Sequence, residues 1–159
     1  MHWKIKQKFL GRVEIFSNLG QRELKLIAKS CAESTFEDGE FICRQGDRGI
    51  AAYIIVSGEI NVISEFENGE SEIIATLGQG AIVGELAIID GAERVASIQA
   101  KGEVTALVLT QWSMQGLIKQ KPIIAASILT VVVKRFRETA SELRKLNRDS
   151  EHGRKSVLH

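Results

Sequence analysis

The sequence predicts an α+β domain in which helices flank a strand-rich middle. Three observations carry this. Residues 22–34, RELKLIAKSCAES, place apolar side chains at helical spacing. From Phe36 to Thr110 the pattern changes to short alternating runs, many punctuated by glycine. From Gln111 onward helical spacing returns and ends in one long apolar stripe. One domain, residues 1–159, accounts for the whole length.

The first segment, residues 1–34, is expected to form short helices. Its opening MHWKIKQKFLGRVEIF interrupts every apolar run with charge, so it does not read as a signal peptide. Residues 35–110 are expected to form the β-structure, and several short strands at this spacing suggest a sandwich or barrel. Asn68-Gly69, between INVISEF and SEIIATL, is a hairpin signal because both residue types tolerate positive φ. Residues 111–148 are expected to be helical again: QWSMQGLIKQ first, then a long helix with Pro122 in its first turn. The polar residues 149–159 read as a fraying tail.

In that last helix Ala125, Leu129, Val132, Phe136, Thr139, Leu143 and Leu146 alternate steps of four and three. Such a seam can join two helices of a dimer or lay one helix on its own barrel. Its length, well beyond what a small barrel covers, and the central Phe136 favour the dimer.

Composition narrows the class. The chain is 44% hydrophobic and 26% charged, ordinary for a globular protein. The longest apolar run, residues 122–133, stops at Lys134, short of the ~20 residues that span a bilayer. Cys31 and Cys43 have no metal-type spacing, and they fit a reduced cytoplasm. The net charge of +1 is unevenly placed. Residues 33–72 hold ten acids against Arg44 and Arg48, whereas residues 1–32 carry seven bases against two acids. Residues 134–155 carry eight bases against four acids. Either basic helices pack beside an acidic barrel, or they form a docking surface for a macromolecule.

Residues 84–97, GELAIIDGAERVAS, carry most of the functional signal. Gly84 opens the segment, Glu85 follows, and Arg94 comes nine residues after that carboxylate. A glycine opening a short helical turn frees backbone N–H groups to face an anion. With Arg94 they would suit a small phosphate ester whose sugar hydroxyl meets Glu85. The plainer reading is a tight turn closed by a Glu85–Arg94 surface ion pair.

The neighbouring residues make the pattern specific. This segment resembles the phosphate-binding cassette of the cyclic nucleotide-binding domain family, which includes catabolite activator proteins, protein kinase A regulatory subunits and cyclic-nucleotide-gated channels. FEDGEFICRQGD (36–47) resembles the family's entry strand and turn, with Gly39, Glu40, Gln45, Gly46 and Asp47 in order. YIIVSGEINVI (53–63) resembles its next hairpin, turning at Gly58, and TLGQGAIVGELA (76–87) leads into the cassette. The match covers about residues 10–148.

The resemblance implies an eight-stranded jelly-roll β-barrel, with GELAII as a short helix interrupting it. It also implies roles. Arg94 would pair with the cyclic phosphate, the N–H groups of Leu86 and Ala87 would donate to its oxygens, and Glu85 would accept from the ribose 2′-hydroxyl. Val62 and Ile74 would offer an apolar wall to the purine, with Val83, Gly84 and Ala96 completing the lining. Val95 departs from members with Ser or Thr after the arginine, which favours cAMP over cGMP. Counted from Pro122, Thr139 falls where catabolite activator proteins place a threonine that meets adenine, although the serine that follows there is Ala140 here. Thr139 can equally bond the carbonyl one turn back. Ser97 reads as an ordinary strand residue.

Absences decide the rival readings. His2, His152 and His159 are the only histidines and lie near the termini, so a cupin-type metal site lacks ligands. No Ser/His or Cys/His pair can be placed in the core. GQGAIVG (78–84) lacks the strand-to-helix context of a dinucleotide loop. Thirteen residues follow Leu146, too few for a helix-turn-helix. The residues and the resemblance together therefore predict a non-enzymatic cytoplasmic receptor without a cofactor, a homodimer through its last helix. It would have an unidentified effector protein as partner and neither DNA nor membrane. The alternatives are a ligand-free structural or protein-interaction module of the same fold, or a regulatory fragment of a larger effector.

Overall fold

The structure is a computed structural model that describes residues 1–85 and 87–157, with side chains described to Arg154. Helix α1 (Trp3–Gly11) starts where Nδ1 of His2 accepts from the Lys4 amide, and a single 3-10 turn (Glu14–Phe16) follows. Helix α2 (Gln21–Ser30) buries Leu24, Ile27 and Ala28, the positions one helical face presents. It stops short of the expected residue 34. Strand β1 (Ala32–Phe36) claims Ala32, Glu33 and Ser34 by pairing antiparallel with Val108, Leu107 and Ala106. A backbone ladder of five residues outcompetes one further helical turn.

The sheet continues with β2 (Phe41–Cys43), β3 (Ala51–Glu65), β4 (Ser71–Leu77), β5 (Ile82–Val83) and β6 (Ser97–Thr110). Among the described residues six strands form it, all antiparallel, in the order β1-β6-β3-β4, with β2 on β6 and β5 on β3. The expected count of eight is too high, and Gly58 shows why. It is not a hairpin turn. It bends β3, which stays paired to β6 on both sides, from Ala51↔Thr110 to Ile55↔Ala106 and from Glu59↔Lys101 to Ile63↔Ser97. Gly58 takes φ 90° and a Cβ there would lie 3.1 Å from Val104 Cα. Only glycine permits that crossing. The two long bent strands thus each do the work of two. At the β3–β4 hairpin Phe66 N–H bonds the Glu70 carbonyl at 2.8 Å, and only Gly69 takes positive φ, 85°. Asn68 instead accepts from the Glu70 amide at 3.0 Å.

The period of two along β3 and β6 divides the core. Ala52, Ile54, Leu107 and Leu109 face the helices, where Leu10, Ile15, Phe16, Ile27, Met114 and Ile124 pack. Ile55, Val104 and Ala106 face the sheet interior with Ile42, Ile60, Val83 and Ile98.

After β6, Thr110 caps helix α4 (Gln111–Gln120) by accepting from the Ser113 amide at 3.1 Å. Helix α5 (Ile123–Val157) runs 35 residues, so 149–157 is helix where the sequence suggests a loose tail. Once nucleated, a helix propagates at little cost through residues that include no proline. Its buried stripe is Ile124, Ile128 and Val131. A second stripe lies in solvent, with Leu129 61%, Phe136 72%, Leu143 58% and Leu146 66% exposed. Ala125 and Val132 are half-buried between the two. No single helix among the described residues is long and apolar enough to cross a membrane.

Candidate ligand-binding site

Two chain segments converge on Arg94. The loop after β2 runs antiparallel to residues 92–94: Arg94 N–H bonds the Asp47 carbonyl at 2.7 Å, and the amides of Gly46 and Gly49 bond the carbonyls of Arg94 and Ala92, each at 2.9 Å. The loop itself is tied down by Gln45, whose amide bonds Ser97 Oγ at 2.8 Å and whose side chain clamps both backbone groups of Glu65. Ser97 is fully buried and has this structural duty.

Arg94 is only 9% exposed. Its Nη2 donates to the Ala51 carbonyl, and the guanidinium lies 5.9 Å from the Tyr53 ring centroid. Among the described residues no carboxylate lies within 4.0 Å of it; the ion pairs are Met1–Glu33, Arg135–Glu14 and Arg135–Glu85. The plain Glu85–Arg94 ion pair does not form. A buried cation with one neutral acceptor is an incomplete arrangement, and an anion entering beside it would complete it.

Arg94 lines a cavity of about 450 Å³, within the range that small ligands occupy. Of the residues singled out in the sequence, Val62, Val83, Gly84, Glu85, Ala87, Arg94, Val95 and Ala96 line it. Leu86 lies outside the described residues. Ala87 opens helix α3 (Ala87–Asp90), and a first helical residue has its N–H outside intrahelical bonding. Two residues are elsewhere. Ile74 is the extra residue of a bulge in β4, between pairs Ala75↔Val62 and Ile73↔Ile63, and is 57% exposed. Thr139 is on the exposed side of α5. Neither borders the cavity of this structure.

Sequence reasoning passed over Cys43, Ile82 and Ile98, which add to the apolar wall. The alternation in FICR and GAIVG was the available signal for the first two. Burial pushes the Cys43 thiol and the Tyr53 phenol above their ordinary pKa values, and the Arg94 charge pulls both back only in part. Two grooves of similar size, about 430 Å³ along α4 and about 500 Å³ between α1 and α2, hold no buried cation.

The largest surprise is Arg135 on α5. Its Nη1 donates to Glu85 Oε1 at 2.7 Å, while Nε and Nη2 face Glu14 at 3.4 and 3.5 Å. Burial alone would lower the Arg135 pKa, but the hydrogen bonds to Glu85 and Glu14 outweigh it and raise the value. No local pattern links residues 50 and 121 positions apart.

Residues 33–121, more than half of the chain, match the family profile of the cyclic nucleotide-binding domain. The chain belongs to that family. Within it, the chain is 30% identical over 129 residues to the cyclic AMP receptor protein of Thermus thermophilus, covering 81% of this chain and 60% of that one. It is 38% identical over 101 residues to the cAMP-dependent protein kinase regulatory subunit of Blastocladiella emersonii, covering 64% of this chain and 25% of the other. The chain thus spans less than two thirds of either relative. Among solved structures, the N-terminal domain of a transcriptional regulator from Streptomyces coelicolor matches with TM-score 0.76 and 27% identity, over 82% of this chain and 94% of that one. The regulatory domain of Toxoplasma gondii protein kinase A, crystallised with cAMP, matches with TM-score 0.72 and 25% identity, over 86% and 50%. The chain carries a cyclic nucleotide-binding domain, with helices around an antiparallel sheet.

Proposed function

We propose that this domain is a receptor for cAMP whose ligand state is passed on through α5. The observation that carries the reading is Arg94, a buried guanidinium on a small-ligand cavity with no carboxylate within 4.0 Å among the described residues. The cyclic phosphate pairs with Arg94 and with the amides at the start of α3. The ribose 2′-hydroxyl donates to Glu85, and the base rests on Val62, Ile82, Val83 and Ile98. Relatives whose names specify cAMP, together with Val95 after the arginine, support the adenine choice.

Arg135 gives the signal a route, because it joins the ribose carboxylate directly to α5. A ligand that engages Glu85 changes the free energy of that contact, and only such differential interaction shifts a conformational equilibrium. The exposed stripe Leu129, Phe136, Leu143, Leu146 supports a homodimer through α5, in which Thr139 from one helix approaches the base. An effector protein would read the position of α5.

Calorimetry of the purified, nucleotide-stripped protein with cAMP and cGMP tests this reading. Saturable binding of one nucleotide per chain, tighter for cAMP, is the expected result. Absence of heat with both would leave a protein-interaction module of the same fold instead.

A further inference from the structure

We infer that Glu14, far from the cavity in sequence, is a positioning residue that keeps one oxygen of Glu85 free for the ribose hydroxyl. This rests on the receptor reading above and adds a residue that the reading does not use.

The argument is one of donor geometry. Besides its Nη1/Nη2 end, a guanidinium has an edge, Nε with Nη2, that matches a carboxylate with two parallel bonds, and a carboxylate that receives either has both oxygens engaged. Arg135 turns that edge to Glu14: Nε is 3.4 Å from Oε1 and Nη2 is 3.5 Å from Oε2. Glu85 receives only Nη1, at 2.7 Å on Oε1. Among the described residues nothing donates to Glu85 Oε2. Glu85 lines the cavity, where a ligand hydroxyl can donate to its carboxylate.

Glu14 is well placed to hold this arrangement. It belongs to the 3-10 turn whose next two residues, Ile15 and Phe16, are fully buried. Its backbone is therefore fixed by the core, although its side chain is 57% exposed. Remove the carboxylate, and the paired edge of Arg135 is free to rotate onto Glu85. Both Glu85 oxygens would then be occupied by the guanidinium, and the ribose would have to displace one bond to bind.

The test is calorimetric titration of the whole chain and of Glu14→Gln with cAMP and with 2′-deoxy-cAMP. Glu14→Gln should weaken cAMP by roughly three- to tenfold, the scale of one hydrogen bond. Its affinity for the 2′-deoxy ligand should stay unchanged, because that ligand makes no demand on Glu85. In an Arg135→Ala background the Glu14→Gln change should have no further effect on cAMP. Equal weakening of both ligands would mean that Glu14 acts through the packing of the N-terminal turn, and the inference falls. Unchanged cAMP affinity also overturns it. If the wild type binds neither nucleotide, the receptor reading itself fails, a result distinct from the other two.

Discussion

Arg94 lies directly over Gly84. A Cβ on Gly84 would overlap Arg94 Nη1 and come within 2.8 Å of Cζ and 2.9 Å of the Ala51 carbonyl oxygen. Gly84 also takes φ 77°, which costs a residue with a side chain about 1–2 kcal/mol. The glycine that opens the cassette is thus required twice, once for its backbone and once to leave room for the arginine. Gly84→Ala should lower the thermal midpoint and displace Arg94, and so weaken nucleotide binding. A variant with wild-type melting and affinity would show that the close approach is not needed.

Removing Arg94 should have the largest effect on affinity. Truncating one partner of a buried, hydrogen-bonded charge pair costs about 2–5 kcal/mol. At about 1.4 kcal/mol per decade, Arg94→Ala should weaken cAMP by well over tenfold. Glu85→Ala should hurt less and should leave 2′-deoxy-cAMP unaffected. Titration calorimetry of the two variants with both ligands separates the roles, and a near-wild-type Arg94→Ala would remove the phosphate assignment.

Base preference should favour cAMP. Val95 borders the cavity while 91% exposed, and it offers no hydroxyl to a guanine edge. Competition titrations should rank cAMP ahead of cGMP, and Val95→Thr should narrow the gap. A preference for cGMP in the wild type would reverse the assignment. An unmoved ratio in the variant would detach it from residue 95.

Phe136, 72% exposed in the middle of α5, should be the most sensitive point of a dimer. Burying such a side chain is worth ~1.5–3 kcal/mol, and a charge there must be desolvated or must open the contact. Phe136→Glu should sediment as a monomer with unchanged circular dichroism, since the core residues on α5 are Ile124, Ile128 and Val131. A wild type that is monomeric at high micromolar concentration would place the stripe in contact with something other than a second copy.

The two thiols should differ in kind. Burial pushes Cys31 from an ordinary 9.0 up to about 12, with Lys6 opposing only weakly. Above pH 9 the unfolded thiol loses its proton while the folded one keeps it, so this share of stability is intact below that pH and lost toward about 12. The fall of the melting midpoint through that window should be shallower in Cys31→Ala. A disulfide-exchange reagent at pH 8 should leave Cys31 unmodified and label Cys43 slowly, with cAMP protecting Cys43. Protection of neither thiol would put the ligand away from that wall.

Much was legible in the sequence because the relevant constraints are local. Helical spacing in RELKLIA, alternation in the strands and the Asn-Gly hairpin each act within a few residues. The cassette is local too: Gly84, Glu85, Ala87 and Arg94 fall within eleven positions, and the fold brings them onto one cavity. Tertiary structure decided what depends on segments distant in the chain. Whether Gly58 turns or bends β3 was set by β6 crossing it at Val104, and whether Ile74 faces inward was set by a bulge in β4 at Ile74 itself. The partner of Glu85 was decided the same way. Its sequence neighbour in charge is Arg94, yet the close contact goes to Arg135, because α5 packs across the N-terminal turn and Arg94 is drawn into the cavity wall by the Ala51 carbonyl. Spacing encodes which residues share an element; only packing assigns a charge to its partner.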